Sequence, residues 1–201
     1  MKIILILSVR IIAVTACKEN EQHPPTSPEI NYDEKAKKAP EKTTVNIEKE
    51  VTVGEASTKI LDTGINRVSN INLACKSISG ISLNQGKEFS FNKTVGERSK
   101  ARGYKDAPVI FHGEKSYGVG GGVCQVSTTL YMAAVNASLE ITEHHPHSES
   151  VAYAPGTDAT VVYGEKDMKF KNNTDDTLYI YVWVQDEKVY GKIVKKEIEV
   201  S

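Results

Sequence analysis

Cysteine is scarce in this chain: three in 201 residues, at positions 17, 75 and 124. Three is too few, and an odd number, for a disulfide framework, so each thiol needs its own account. An excess of either charge is missing too. A formal net charge of −1 provides no electrostatic footprint for nucleic acid or a strongly anionic surface, and nucleic acid is excluded as a partner on that ground. The length of 201 residues suits one ordinary domain plus tails rather than two domains. The mostly apolar stretch 3–16 also falls short of the ~20 residues that a membrane-spanning helix requires.

What that stretch does fit is the core of a secretory signal. Lys2 precedes it, and Val14-Thr15-Ala16 supply small residues just ahead of Cys17. The ending VTAC resembles the lipobox of bacterial lipoproteins, which would make Cys17 a lipidated first residue after processing. Arg10 interrupts the apolar run. From Lys18 to about Glu50 proline, lysine, glutamate and small polar residues dominate with no apolar period. Such a composition cannot bury enough surface to offset its ordering entropy, and it reads as a flexible tether. The expected organisation is a leader at 1–16, a tether at 17–50 and a folded domain at 51–201.

The stretch with chemical content is 118–131, GVGGGVCQVSTTLY. Glycines at 120, 121 and 122 permit a tight bend and close approach of a ligand to the main chain. Beyond them Val126, Leu130, Ala133 and Ala137 recur at helical spacing, predicting a helix over about 123–139 with one buried stripe. Cys124, Ser127, Thr128 and Tyr131 fall on another face. A thiol in the first turn meets the positive end of the helix dipole and unpaired N–H groups, both of which favour the thiolate. Main-chain N–H groups of Gly120, Gly121, Gly122 and Val123 are candidates to hold an oxyanion, with Ser127 and Tyr131 as positioning groups. The competing account is a glycine turn whose helix buries Cys124 as a small hydrophobe.

A second helix is predicted over 67–79, where Val68, Ile71, Cys75 and Ile78 repeat at helical spacing, with Asn66 or Asp62 as cap and Gly80 as stop. Cys75 on that stripe reads as a buried small side chain. Phe89 and Phe91 alternate with Ser90 as one face of a strand, and 108–111 is another strand. Arg98, Lys100, Arg102 and Lys105 form a basic cluster able to meet a substrate carboxylate or, as such clusters usually are, to be solvated. His112 reads as a turn residue. The loop HHPHS at 144–148 offers a base for Cys124, or a metal site, although its spacing matches no familiar zinc pattern. Asp158, in GTDAT, can orient a histidine by accepting its second ring N–H, or can serve only its own turn. Strands are expected at 159–163, 168–171, 178–184 and 188–194, the last two as a hairpin. The fold class is therefore α+β: a mixed or largely antiparallel sheet with two main helices packed on it.

The run FSFNKTVGERSKARGYKDAPVIFHGEKSYGVGGGVCQVSTTLYMAA, then HPHS, then GTDATVVYGEKDMKFKNNT, resembles the VanW-like domain family over about residues 60–184. That family is bacterial and associated with the cell envelope, and in some members the domain is implicated as a cysteine-dependent L,D-transpeptidase that cross-links peptidoglycan stem peptides. The resemblance implies Cys124 as nucleophile and His147 as base, with His145 in the same motif. His144 stands where arginine is more usual, a departure that bears on recognition of substrate charge. It further implies stem peptides as partners, no cofactor and no metal in the site. Together with the leader it implies export and attachment to the outer face of the cytoplasmic membrane through a lipid on Cys17. Two other classes stay open: a non-catalytic module that binds stem peptide or glycopeptide, and a histidine-based metal protein.

Overall fold

The computed structural model describes residues 46–111 and 114–200. The leader at 1–16, Cys17, the tether up to residue 45 and His112 lie outside the described residues. The described residues open with β1 (Asn46–Lys59), which includes positions ahead of the expected Val51. It continues through α1 (Ile65–Ile78), β2 (Ile81–Leu83), β3 (Glu88–Ser90), α2 (Phe91–Val95), a 3-10 turn at Lys100–Arg102, β4 (Asp106–Phe111) and β5 (Glu114–Val119). Then come α3 (Val123–Asn136), β6 (Glu140–Glu143), β7 (Lys169–Lys171), β8 (Leu178–Gln185) and β9 (Lys188–Val200). This is an α+β fold with two main helices.

Every pairing among these strands is antiparallel. The main sheet runs β1-β9-β8-β2, and smaller sheets are β3-β7-β6 and the β4-β5 hairpin. The C-terminal hairpin forms as expected. Leu178, Ile180 and Val182 turn inward while Tyr179, Tyr181 and Trp183 stay half-exposed, the alternation of a sheet with one wet face. On the inner face α3 crosses β1 and β9, and α1 packs on β8. A side chain at Gly54 in β1 would sit 2.4 Å from the carbonyl oxygen of Ala133 and 2.6 Å from the Ala137 methyl. Only glycine lets the helix lie that close to the strand. Fully buried Ile71, Ile78, Leu130, Ile180 and Ile193 fill the space between helices and sheet. Each contributes about 1.5–3 kcal/mol by leaving water.

Three expectations need correction. Phe91 is not on a strand with Phe89: the chain turns into α2 there, capped by the Ser90 hydroxyl accepting from the Lys93 N–H at 3.0 Å. Both rings are nonetheless buried. Neither Asn66 nor Asp62 is the cap of α1. Gly64 holds that position, Asp62 accepts from the Gly64 N–H and Asn66 donates to the Asp106 carbonyl. Residues 159–163 form no strand beyond one bridge between Val162 and Lys166, because α3 occupies their flank and bonds them through hydroxyls. Among the described residues no helix is long and apolar enough to cross a membrane.

Candidate functional site

Helix α3 opens at Gly122, whose φ of 104° lies in the left-handed region. A side chain there would also meet Arg67 Cγ at 2.9 Å, and one at Gly121 would meet the Ala107 carbonyl oxygen at 2.6 Å. The glycines are thus demanded by packing as well as by the bend. Asn70 of α1, fully buried, braces the loop from beneath. Its amide donates to the Lys105 and Gly121 carbonyls at 2.9 and 3.1 Å, and its oxygen accepts from the Lys105 N–H at 2.8 Å. Gln125, also fully buried, ties the first turn to β1 by donating to the Thr58 hydroxyl and the Lys59 carbonyl. With every polar atom satisfied, such a network fixes one backbone path.

Cys124 is half-buried in that first turn. Its sulfur is 3.6 Å from the Thr160 hydroxyl and 3.6 Å from the Val161 carbonyl oxygen, and the His147 ring lies within hydrogen-bonding reach. The other side of that ring is held by Asp158: Nδ1–H donates to Oδ2 at 2.5 Å, and the His147 main-chain N–H donates to the same oxygen at 2.7 Å. With Nδ1 committed, Nε2 is the nitrogen left for the thiol. Burial pushes the Cys124 thiol up, but the bonds and charge of His147, with the Val161 main chain and Thr160, outweigh it and hold the thiol below its ordinary value. Burial pulls His147 down, and Cys124 and Asp158 reverse that, leaving it above its ordinary value. Asp158 is raised by burial and lowered further by its bonds to His147. All three shifts favour one charge state, thiolate, imidazolium and carboxylate, though the pair of protons shared by Cys124 and His147 titrates as a unit.

The three histidines of the loop part company. His145 donates from Nε2 to Glu143 Oε1 at 3.0 Å, so it is not joined to the cysteine. His144 donates from Nε2 to the Asp158 carbonyl at 2.8 Å and stacks on Tyr131 with ring centroids 4.2 Å apart. Each ring is thus committed to a different partner. Among the described residues no group of three or more histidine, cysteine, aspartate or glutamate side chains is disposed to hold a metal.

Ser127 is fully buried, contrary to a substrate-positioning role, because its hydroxyl donates to the Ala159 carbonyl at 2.6 Å. Thr128 accepts from the Ala159 N–H at 3.0 Å. These two hydroxyls pin the 158–161 segment, and with it Asp158 and Thr160, to the face of α3. Tyr131 acts through His144 rather than at the thiol. The oxyanion donors are fewer than the sequence implied. Gly120 donates to the Lys105 carbonyl, Gly121 to Gly118 and Val123 to Gly120. Among the described residues the N–H groups of Gly122 and Cys124 make no hydrogen bond.

Sequence reasoning passed over Arg67 and Tyr153. Arg67 reaches the Gln125 side-chain oxygen at 3.1 Å and the Pro108 carbonyl at 3.5 Å. Tyr153 is pushed above its ordinary value by burial and by the Cys124 charge, so its phenol stays neutral beside the thiol. Neither lies in a motif; only the fold brings them in.

With this geometry in view, the comparisons with known proteins become specific. The model of the family described as VanW like protein matches residues 66–194, nearly two thirds of the chain and all of the site. The chain belongs to the VanW-like family. YoaR, an uncharacterized protein of Bacillus subtilis (strain 168), is 42% identical over 129 residues, covering 64% of this chain and 43% of the relative. The vancomycin B-type resistance protein VanW of Enterococcus faecalis (strain ATCC 700802 / V583) is 34% identical over 134 residues, covering 64% of this chain and 49% of the relative. The chain therefore spans less than half the length of these relatives along the VanW-like region. No solved structure matches the chain.

Proposed function

We propose that this VanW-like chain is a cell-envelope acyltransferase with Cys124 as nucleophile, acting on peptidoglycan stem peptides in the manner of an L,D-transpeptidase. The observation that carries the reading is the imidazole of His147, bonded through Nδ1 to the Asp158 carboxylate and near enough to Cys124 to favour its thiolate. A nucleophile, a base and a group that orients the base are the parts acyl transfer requires. The substrate class rests on the family resemblance and on the printed name of the Enterococcus relative, a vancomycin resistance protein. Export and attachment through a lipid on Cys17 are proposed with it, from the VTAC leader alone.

In this mechanism the Cys124 thiolate attacks the carbonyl carbon that joins the third stem residue to a terminal D-alanine. The carbonyl oxygen becomes an oxyanion, which accepts hydrogen bonds from the N–H groups of Cys124 and Gly122. The tetrahedral species collapses, the C–N bond breaks, and protonated His147 gives its Nε2 proton to the departing amine. A thioester remains on Cys124. An acceptor amine then attacks the thioester carbonyl and passes a proton to His147, and the thiolate leaves as the new peptide bond forms. Asp158 keeps the ring in one tautomer and orientation throughout.

The test is intact-mass spectrometry of the full chain after incubation with disaccharide tetrapeptide. An adduct equal to the substrate less D-alanine, mapped to Cys124 and absent from Cys124→Ala, is the expected result. A bound but uncleaved peptide with an unmodified thiol overturns the reading in favour of a stem-peptide-binding module.

A further inference from the structure

Four cations cluster at 98–105, and the fold separates one from the rest. Lys100 is paired with Asp106 at 2.7 Å, and Arg102 donates to the Glu97 carbonyl at 3.0 Å, both on the surface. Arg98 is half-buried and turned toward the site. Its Cβ lies where a side chain on Gly120 would be, 2.8 Å from the ideal position, so its stem packs on the loop that delivers Cys124. Nη1 is anchored, donating to the Asn92 side-chain oxygen at 2.7 Å and to the Gly96 carbonyl at 3.0 Å. The guanidinium faces the Tyr163 ring at 5.9 Å.

The opposite edge is free. Among the described residues Arg98 Nε and Nη2 make no hydrogen bond and neither is sealed from solvent, and no carboxylate lies within 4 Å of the guanidinium. Asp167, the acid nearest in the fold, is spent. Its Oδ2 accepts from the Ser90 hydroxyl, and its Oδ1 accepts from the N–H groups of Asn92 and Met168. Arg67, on the other flank of the glycine loop, differs. Both of its terminal nitrogens are bonded and its Nε is buried without a partner, so it has no edge to offer a ligand. Nε and Nη2 on one side of a guanidinium form the planar fork that matches a carboxylate with two parallel bonds. The negative charges that act on Arg98, those of Cys124 and Asp167 among them, do so without bonding this edge, so the edge can take an incoming carboxylate.

Position narrows the anion. Arg98 is close enough to Cys124 for the thiolate charge to act on it. On its far side, through Asn92 and Tyr163, it borders an open cleft of about 550 Å³ that also takes in Glu143, Lys166 and Lys169. Asn92 and Gly96, which hold Nη1 of Arg98, both line this cleft, while the Arg98 stem packs on the glycine loop before Cys124. A peptide lying in it and cut at its last bond carries a carboxylate one residue beyond the scissile carbonyl.

We propose that Arg98 is the ligand for the C-terminal carboxylate of the donor peptide, its Nε–Nη2 edge gripping the D-alanine end so that the preceding carbonyl faces Cys124. This rests on the stem-peptide reading, and its test is separable from acylation. Binding is measured by calorimetry on the full chain carrying Cys124→Ala, with a stem tetrapeptide ending in free D-alanine and with the same peptide as its C-terminal amide. The acid binds more tightly than the amide by roughly 10- to 100-fold, the range for a charge-assisted pair. Adding Arg98→Gln or Arg98→Met brings the acid-to-amide ratio to about one, the acid losing far more affinity than the amide. Equal binding of acid and amide to Cys124→Ala, no binding of the acid at millimolar concentration, or an Arg98 variant that weakens both peptides alike overturns the proposal. If one neutral replacement fails to fold, the other gives the comparison, and the acid-to-amide ratio in Cys124→Ala alone still decides against it when that ratio is one. Loss of the thioester with the preference intact sinks the acyltransferase and leaves a carboxylate-reading module. A thioester without the preference sinks only the role of Arg98.

Discussion

Helices α1 and α3 each carry one cysteine, and the two thiols are driven in opposite directions. Cys75 lies in the third turn of α1, 4% exposed in the hydrophobic core, and burial pushes it up to about 12. Cys124 lies in the first turn of α3 and is held below its ordinary value despite its own burial. Desolvation acts on both in the same sense. The difference is what else each sulfur meets: Cys75 has its own main chain and apolar neighbours, whereas Cys124 has an imidazole backed by a carboxylate. Low solvent exposure alone therefore does not make a cysteine inert, and a helix start alone does not make one reactive.

The largest consequence is selectivity toward alkylating agents. Thiolate fraction at pH 7 differs between a group near 12 and one below 9 by at least about 1,000-fold, and exposure widens the gap. Iodoacetamide under native conditions should label Cys124 and leave Cys75 untouched until the protein unfolds, read by peptide mapping. Comparable labelling of both would break the contrast.

Removing the imidazole sharpens it. In His147→Ala the favourable bond and charge are gone while burial remains, so the thiol rises toward or above its ordinary value. Alkylation follows the thiolate, which increases with pH through the thiol pKa. The midpoint of the rate profile thus moves to higher pH, and the rate at pH 7 falls with the thiolate fraction. His145→Ala, which removes a ring bonded to Glu143 rather than to the thiol, leaves the midpoint in place. A shift in His145→Ala as large as in His147→Ala would reassign the base.

The two sites also differ in what a hydroxyl does to stability. Cys75→Ser puts an O–H into an apolar stripe, at a cost of about 1–3 kcal/mol if no acceptor is found. Cys124→Ser keeps Thr160, Val161 and His147 as partners and is expected to cost under ~1 kcal/mol. Urea midpoints of the two variants check the order, which reverses if Cys75 has a polar neighbour that its surroundings conceal.

Much of this was legible from sequence because it is local. The 3.6-residue stripes of α1 and α3 mark which face is buried, and they placed Cys75 in the core before any coordinates. GGGVC announces a bend feeding a helix, and HPHS and GTDAT supply an imidazole and a carboxylate. What sequence could not supply was long-range. Residues 159–163 alternate like a strand, yet Ala159 bonds to the hydroxyls of Ser127 and Thr128 more than thirty positions earlier, and Thr160 and Val162 donate to the carbonyls of His145 and Lys166. Ser127 reads as a site residue for the same reason: a polar face on a helix signals either ligand or neighbour. Charged residues 46–50 read as tether until β9, some 150 positions on, pairs with them. Arg98 is one of four cations in the cluster, and its half-buried place with one open edge sets it apart from Lys100 and Arg102, which already have partners. The export leader, Cys17 and the partner peptides lie beyond what the described residues address.

The smallest effect expected concerns Glu143, where the same logic of partners against burial runs at the surface. Its Oε2 accepts from Lys169 at 2.8 Å, and its Oε1 accepts from the Asp167 N–H at 2.8 Å and from His145. The Lys169 bond and the Asp167 main-chain bond, against a smaller opposing desolvation, bring the carboxyl down to about 2. A carboxyl lowered on folding stabilises the fold above its unfolded pKa near 4.5, and that contribution is lost as pH falls from there through about 2. Because the pair lies near the surface and is screened by solvent, the contribution is small. Glu143→Gln keeps a side-chain oxygen for the Asp167 N–H and loses only the charge, which isolates the ionic part. The variant should melt slightly below wild type at pH 7, with the gap closing between pH 4.5 and about 2. A gap that persists unchanged to the acid end would show that Glu143 acts through its hydrogen-bonded geometry and not through its charge.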